Sequence, residues 1–158
     1  MPAYPPTYLL TFEQLGAPDI GYISVSENAV PPLPFAVQRV FWTYYTPDNI
    51  LRGRHAHHAT EHVLIAVAGR IIVTIEQADG ILKAFQLEEP QVGLYVPPNV
   101  WHTLQYSPGA VQLALASQHF SEDDYIRDHQ EFKKVWQNSA SSIPRVQPPS
   151  QKRGRRKA

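Results

Sequence analysis

The sequence of 158 residues contains no cysteine and one methionine, and no apolar run approaches the roughly 18 residues that a membrane-spanning helix needs. Without cysteine, the chain forms neither a disulfide framework nor a thiolate site. The N-terminal residues, Met1–Pro6, include neither a basic nor an apolar segment and so do not predict a signal peptide. These absences favour a soluble, cytoplasmic protein with no membrane partner.

Acidic residues are missing from positions 139–158, although the formal net charge of the whole chain is zero. This segment holds six of the 14 Lys and Arg residues, so eight basic and 14 acidic side chains remain in positions 1–138. It also lacks aromatic residues and cannot bury enough apolar surface to fold. We therefore predict one folded domain, 1–138, and a disordered basic tail, 139–158. Such a tail can bind nucleic acid, but a solvated extension that binds none is the simpler interpretation.

Long helical periods are also scarce, and short apolar or alternating runs separated by Pro and Gly turns predict β-strands instead. These runs are Tyr8–Phe12, Gly21–Glu27, Ala36–Tyr45, His62–Val67, Arg70–Glu76, Ile81–Leu87, Gly93–Val96, Trp101–Tyr106 and Val111–Ala116. One helix is predicted at the end of the domain, with Ser121 as its N-cap, Asp124 in its first turn and Trp136 near its end. The pattern predicts an all-β barrel or sandwich with a C-terminal helix.

Histidine is concentrated in one place, since four of the seven histidines lie in Arg52–His62. Imidazole titrates near neutral pH and binds metal ions, so the cluster predicts either a proton-transfer site or a metal site. The apolar run Val63–Val67 follows directly. We therefore expect the cluster to be anchored to a sheet.

The spacing of these residues resembles the two motifs of the cupin superfamily. The first motif matches His55-x-His57-x3-Glu61, and the second matches the Pro-x-Asn-x2-His segment that ends at His102. The resemblance implies a cupin jelly-roll barrel, and in metal-bearing cupins three histidines and a glutamate bind one divalent ion. One hypothesis is therefore a metal-dependent enzyme, such as a dioxygenase or a metal-assisted isomerase, that uses His55, His57, Glu61 and His102.

A more specific resemblance, to the dTDP-sugar 3,4-ketoisomerases, extends over residues 19–132. Its matching segments are Pro34-Phe35-x-Val37-x-Arg39-Val40-Phe41, Arg52-Gly53-x-His55-Ala56-His57, Gly93-Leu94-Tyr95-Val96-x-Pro98-x-Val100-Trp101-His102, Leu115-Ala116-Ser117 and Asp124-Tyr125-Ile126-Arg127-Asp128-x-x-Glu131-Phe132. The resemblance implies a homodimer with an exchanged N-terminal strand. It also implies a reaction on dTDP-4-keto-6-deoxyglucose without metal or other cofactor, in deoxysugar biosynthesis for lipopolysaccharide O-antigen or S-layer glycans.

The chemistry of this isomerisation explains the pair of histidines. A 4-keto group acidifies the hydrogen on C3, so a base removes it to give an enediolate, and a proton returned to C4 moves the ketone to C3. We expect His55 and His57 to divide the roles of base and proton shuttle, with the assignment left open. The family also places a tyrosine on the preceding strand, for which Trp42 and Tyr44 are the candidates.

Four further residues are candidate substrate contacts by the same resemblance. Arg52 would hold the diphosphate through charge-assisted hydrogen bonds, and Trp42, Tyr95 and His102 would line the pocket. His58 and His62 are the histidines with the weakest claim to a role. A third hypothesis, beside the isomerase and the metal-dependent enzyme, is a non-catalytic cupin that binds nucleotide sugars and has lost the family's tyrosine.

Overall fold

A computed structural model of the chain describes residues 6–77 and 79–141, and side chains up to residue 137. The strands in chain order are β1 (Tyr8–Thr11), β2 (Glu13–Ala17), β3 (Gly21–Val25), β4 (Arg39–Thr43), β5 (Arg52–His57), β6 (His62–Ala68), β7 (Ile71–Glu76), β8 (Leu82–Leu87), β9 (Val92–Val96), β10 (Trp101–Tyr106), β11 (Val111–Ala116) and β12 (Tyr125–Ile126). A 3-10 turn, Glu122–Asp124, precedes β12, and one α-helix, α1 (His129–Ser141), follows it.

Ten of these strands form two five-stranded antiparallel sheets that stack as a jelly-roll sandwich. The first sheet has the order β1-β9-β6-β11-β4, and the second has the order β12-β5-β10-β7-β8. Strands β2 and β3 pair only with each other, as a hairpin. The prediction of an all-β jelly roll with a C-terminal helix is confirmed.

The main core lies between the two sheets because the side chains of each strand alternate between its faces. In β7, Ile71, Val73 and Ile75 are buried and contact the rest of this core, whereas the residues between them are partly exposed. Leu64 of β6 and Leu94 of β9 enter the same core from the opposite sheet. The space between the sheets is thus filled mainly with apolar side chains, apart from the histidines described below and a buried hydrogen bond from the Tyr106 hydroxyl to Gln112 Oε1 at 2.5 Å.

Two smaller apolar layers cover the outer faces of the sandwich. Leu10, Phe12 and Phe35 of the N-terminal segment pack against Val63 and neighbouring residues on the outside of the first sheet. Phe132 of α1 packs against the outside of the second sheet. The central strands of the first sheet therefore bury both faces over much of their length, which explains why β6 is a nearly continuous apolar run.

The predicted start of the helix is wrong. Ser121 precedes only the 3-10 turn, because Tyr125 and Ile126 pair with β5 instead of continuing as a helix. Helix α1 begins later, where Asp128 Oδ1 accepts hydrogen bonds from the backbone N–H of Gln130 at 2.8 Å and Glu131 at 2.9 Å. This is an N-cap, and it frees Asp124 for a different contact.

Other predicted boundaries differ less. Strand β2 was not predicted, and β4 is shorter than the predicted strand Ala36–Tyr45. Helix α1 reaches Ser141, and the rest of the predicted tail lies outside the described residues, as does Ala78 of the predicted hairpin turn. None of the helices among the described residues has the length and apolar character required to span a bilayer.

A β-bulge in β5 sets the register of the histidines. Thr103 of β10 is opposite Gly53, whereas His102 is opposite His55, so Arg54 is the extra residue. Gly53 has φ of 81° and Arg54 has φ of 58°. A Cβ atom on Gly53 would lie 2.7 Å from the carbonyl oxygen of His102. The bulge therefore requires glycine at this position, both for its backbone angle and for its close approach to β10.

We predict that Gly53→Ala destabilises the fold more than Gly109→Ala. Both positions have positive φ, which costs an alanine roughly 1–2 kcal/mol, but a Cβ on Gly109 would meet nothing within 4 Å. Only Gly53→Ala adds a backbone clash. Urea denaturation should show a larger loss of unfolding free energy for Gly53→Ala, and equal losses would contradict the role of the bulge.

Candidate active site

Four imidazole rings meet at one end of the space between the two sheets. His55 and His57 come from β5 and His102 from β10, all in the second sheet, and His62 is the first residue of β6 in the first sheet. The ring centroids of His55 and His57 are 4.9 Å apart, those of His55 and His102 are 4.7 Å apart, and those of His57 and His62 are 4.7 Å apart. The four rings thus form one continuous cluster.

Three of these rings are held through Nδ1. The Nδ1 atom of His55 lies 3.1 Å from the carbonyl oxygen of Gly53, and that of His102 lies 3.2 Å from the carbonyl oxygen of Val100. His57 Nδ1 lies 3.0 Å from Asp124 Oδ2. A carbonyl or carboxylate oxygen only accepts hydrogen bonds, so Nδ1 is the protonated nitrogen in each neutral ring. Each Nε2 atom then keeps a lone pair that is able to accept a proton.

Burial keeps the rings neutral. It is the main cause that lowers the pKa of His57 to about 4 and of His102 to about 3, and the nearby rings lower both further. The pKa of His55 is also lowered, and that of His62 is well below its usual value, again mainly because of burial. At neutral pH the cluster is therefore a set of uncharged bases and not a cationic site.

Aromatic and cationic side chains surround the cluster. The ring of Tyr125 lies 4.3 Å from that of His57 and 5.0 Å from that of His55. Phe41 of β4 meets His62 edge-on at 6.0 Å. The guanidinium of Arg39 lies 5.3 Å from the centre of the Phe41 ring, and its charge contributes to the lowered pKa of His57 and His62.

Glu61 and Tyr95 face the other side of the first sheet. The hydroxyl of Tyr95 donates a 2.6 Å hydrogen bond to Glu61 Oε1, and the Tyr95 ring packs against Tyr8 and Phe35 in the outer apolar layer. Adjacent residues of a strand point to opposite faces, so His62 points inwards. The structure does not bring Tyr95 to the histidines, contrary to its expected position as a pocket residue.

The predicted metal set of His55, His57, Glu61 and His102 is consequently not assembled, because its carboxylate lies on the far face of the sheet. Over residues 6–77 and 79–141, no group of three or more His, Cys, Asp or Glu side chains is arranged to hold a metal ion. The donor set that the sequence suggested does not fit the metal site of the cupins.

Trp42 and Tyr44 also lie away from the cluster. Their side chains are 63% and 52% exposed, because the alternation in β4 turns Phe41 inwards. The inward residue of β4 is thus Phe41, whose ring has no hydroxyl group. Neither candidate for the family's tyrosine is near the histidines. Arg52 is exposed and lies opposite Leu104, on the far side of the bulge from His55.

Several residues of this site were not predicted from the sequence. His62 has a signal that could have identified it, since it shares the inward face of β6 with Leu64 and Ala66 at intervals of two. The inward orientation of the Arg39 and Phe41 side chains follows from the same alternation once the register of β4 is known. Asp124 is 67 residues from His57 in sequence, and its pairing depends on β12, which the predicted helix obscured.

Comparisons with known proteins agree with this architecture. The family model described as "FdtA: WxcM-like, C-terminal" matches residues 7–137. A curated relative from Aneurinibacillus thermoaerophilus, TDP-4-oxo-6-deoxy-alpha-D-glucose-3,4-oxoisomerase, is 37% identical over 113 residues, which cover 71% of this chain and 79% of the relative.

Solved structures of one sugar 3,4-ketoisomerase are also similar. QdtA from Thermoanaerobacterium thermosaccharolyticum in complex with TDP is 29% identical, with a TM-score of 0.79 over 84% of this chain and 96% of QdtA. A His-to-Asn variant of QdtA in complex with TDP-4-keto-6-deoxyglucose is 28% identical, with the same TM-score over 84% of this chain and 94% of the variant. On these matches, the chain belongs to the FdtA-like family of TDP-sugar 3,4-ketoisomerases.

Proposed function

We propose that this enzyme converts TDP-4-keto-6-deoxyglucose into its 3-keto isomer by proton transfer through the histidine cluster. The observation that carries the proposal is a set of neutral imidazoles, partly or fully buried, whose Nδ1 atoms each lie within 3.2 Å of an acceptor oxygen, which leaves a lone pair on each Nε2 atom. The similar QdtA variant in complex with TDP-4-keto-6-deoxyglucose supports this choice of substrate. A nucleotide-linked substrate of this kind belongs to cytoplasmic deoxysugar biosynthesis.

The reaction needs one base and one proton donor. A neutral imidazole removes the proton from C3, and the electron pair of the broken C–H bond forms the C3–C4 double bond of an enediolate while the C4 carbonyl oxygen becomes anionic. The C4 oxyanion then takes up a proton as the C3 hydroxyl loses one, and protonation at C4 gives the 3-ketone with a C4 hydroxyl group and no net redox change. His55 and His57 have adjacent rings, which suits them to pass a proton between these positions.

His102 and Arg52, which were also predicted to contact the substrate, bind different parts of it in this proposal. His102 is buried beside His55 and is suited to hold the sugar oxygens through its Nε2 atom. Arg52 remains the proposed diphosphate contact, since its exposed side chain precedes the catalytic part of β5 and leaves room for a charged group. Trp42, Tyr44 and Tyr95 have no role in the proposed reaction within one subunit.

We further propose that the active form is a homodimer in which the N-terminal strand, which pairs with β9 of its own chain in the single-chain structure, is exchanged between subunits. Val40, Trp42 and Val67 expose apolar side chains on the first sheet, and Tyr22 and Ile23 expose apolar side chains on the β2–β3 hairpin. A cavity of about 510 Å³ lies between this hairpin and the sheet. A second copy of the chain would cover these surfaces.

His55→Asn and His57→Asn should each slow isomerisation by about 10²-fold or more, because an amide can neither accept the proton from C3 nor pass a proton on to C4 or the sugar oxygens. The rate of deuterium incorporation at C3 and C4, measured by NMR in deuterium oxide, reports this step directly. His58→Asn is the matched control, since His58 is exposed. Substrate binding without exchange by the wild-type protein would favour the non-catalytic hypothesis, and wild-type exchange in both variants would disprove the proposed roles.

The pH dependence should reflect the lowered pKa of the cluster. Protonation of His57 removes its lone pair, so kcat/KM should stay level as the pH falls through 6.5 and decline only towards pH 4, the pKa of His57. Unfolded histidine has a pKa near 6.5 and binds more protons than the native cluster below this pH, so the free energy of unfolding should decrease over the same interval. Circular dichroism at each pH separates the two effects. A decline in kcat/KM centred near 6.5 while the fold persists would contradict the proposal.

The dimer is tested by sedimentation velocity. The wild-type protein should sediment with twice the chain mass of 17.9 kDa. Trp42→Asp should shift the population towards monomer, because it places a charge in the proposed interface. Ile81→Asp is the control, since Ile81 is similarly exposed at 58% but lies at the β7–β8 turn. A monomeric wild-type protein, or equal effects of both substitutions, would contradict this interface.

A further inference from the structure

The carboxylate of Asp124 is the most highly connected polar group beside the histidines. Its Oδ2 atom accepts a 3.0 Å hydrogen bond from His57 Nδ1 and a short one from the Thr60 hydroxyl. Its Oδ1 atom accepts a 2.7 Å hydrogen bond from the backbone N–H of Ala59. The backbone carbonyl of Asp124 accepts another, at 2.8 Å, from the N–H of His58.

This network joins the two segments that flank the cluster. The loop after β5 supplies the His58, Ala59 and Thr60 donors, and the 3-10 turn before β12 supplies the acceptors. Next to it, Tyr125 pairs with His57 in the β5–β12 ladder, and the N–H of Asn99 donates a 2.7 Å hydrogen bond to the carbonyl of His57. The position of His57 is thus fixed through its backbone, and the orientation of its ring is fixed through Asp124.

Asp124 is suited to remain ionised in this position. Burial alone would raise the pKa of its carboxyl group, but the hydrogen bonds from Thr60, Ala59 and His57 together hold the pKa below its usual value. The side chain is 12% exposed, against 3% for His57. Burial causes the larger lowering of the pKa of His57, against which the hydrogen bond and charge of Asp124 raise it, so the carboxylate makes Nε2 more basic than a neutral acceptor at Nδ1 would.

We propose that Asp124 is a positioning residue that fixes the Nδ1-protonated tautomer of His57 and makes His57, rather than His55, the base that takes the C3 proton. His55 bonds through Nδ1 to the neutral carbonyl of Gly53, so the carboxylate distinguishes the two rings. As the C3 proton moves to Nε2, the imidazole becomes an imidazolium, and the adjacent negative charge of Asp124 stabilises it. This inference rests on the proposed function.

The substitution Asp124→Asn tests the tautomer because an amide has only one acceptor atom. If the amide oxygen keeps its bond to the N–H of Ala59, the amide NH2 group faces His57 Nδ1 and donates to it. The His57 proton then moves to Nε2, where it blocks the lone pair. The opposite orientation of the amide would place its NH2 group against the N–H of Ala59, two donors face to face.

We expect Asp124→Asn to lower kcat by about 10²- to 10⁴-fold, the range for loss of acid–base catalysis, with little change in KM. Nitrogen-15 NMR of labelled histidine should show the Nδ1-protonated tautomer of His57 in the wild-type protein and the Nε2-protonated tautomer in the variant. Asp123→Asn, an exposed neighbour in the same turn, should match the wild-type protein in both measurements. Thr60→Val should keep the wild-type tautomer, because it removes a donor to Asp124 and leaves the carboxylate in place.

The outcomes separate this inference from the function on which it depends. If Asp124→Asn keeps the wild-type tautomer of His57, the role of Asp124 is overturned whether or not the enzyme isomerises the sugar. If the enzyme isomerises the sugar and Asp124→Asn keeps the wild-type kcat, the role is overturned as well. The same tautomer change in Thr60→Val would show that packing of the loop, and not the carboxylate, orients the ring. If Asp124→Asn changes the tautomer of His57 but the wild-type protein exchanges no proton with the sugar, the structural part of the inference is confirmed and its catalytic part is disproved.

Discussion

The structure depends on keeping uncharged imidazoles buried between two sheets. A protonated histidine would be costly there, because burial removes its charge from water and the other rings lie close by, and of the three rings held through Nδ1 only His57 has a carboxylate, that of Asp124, at this atom. The fold meets this constraint by directing a backbone carbonyl or a carboxylate at Nδ1 of three rings, which fixes the proton and leaves Nε2 as a base. The same burial that lowers the pKa of these rings therefore keeps their Nε2 atoms unprotonated at neutral pH.

The surrounding elements serve this arrangement at specific points. The bulge at Gly53 brings His55 opposite His102, and the short strand β12 brings Asp124 to His57. Phe41, on the inward face of β4, closes the cluster from the first sheet without adding a hydroxyl group. The carboxylate of Glu61 is kept on the outer face through its hydrogen bond to Tyr95, whereas the ring of Tyr125 lies directly beside His55 and His57.

Much of the fold was predictable because β-strands leave local signals. The alternation in Ile71–Glu76 and the apolar run after His62 depend on neighbouring residues alone. The bulge, the start of α1 and the Asp124–His57 pair depend on contacts between distant segments, and the acidic run after Ser121 favoured a helix that the pairing of Tyr125 with β5 overrides. His55, His57 and His102 could be identified from motif spacing, whereas the placement of Trp42, Tyr44, Tyr95 and Glu61 required the register of their strands.

We propose that histidines of this chain move a ketone along a nucleotide-linked sugar without help from a metal ion. The decisive measurement is carbon-13 NMR of TDP-4-keto-6-deoxyglucose incubated with chelator-treated enzyme. We expect the carbonyl signal to move from C4 to C3 at the rate of the untreated enzyme. A carbonyl that stays at C4, or conversion that returns only when a divalent metal is added, would contradict it.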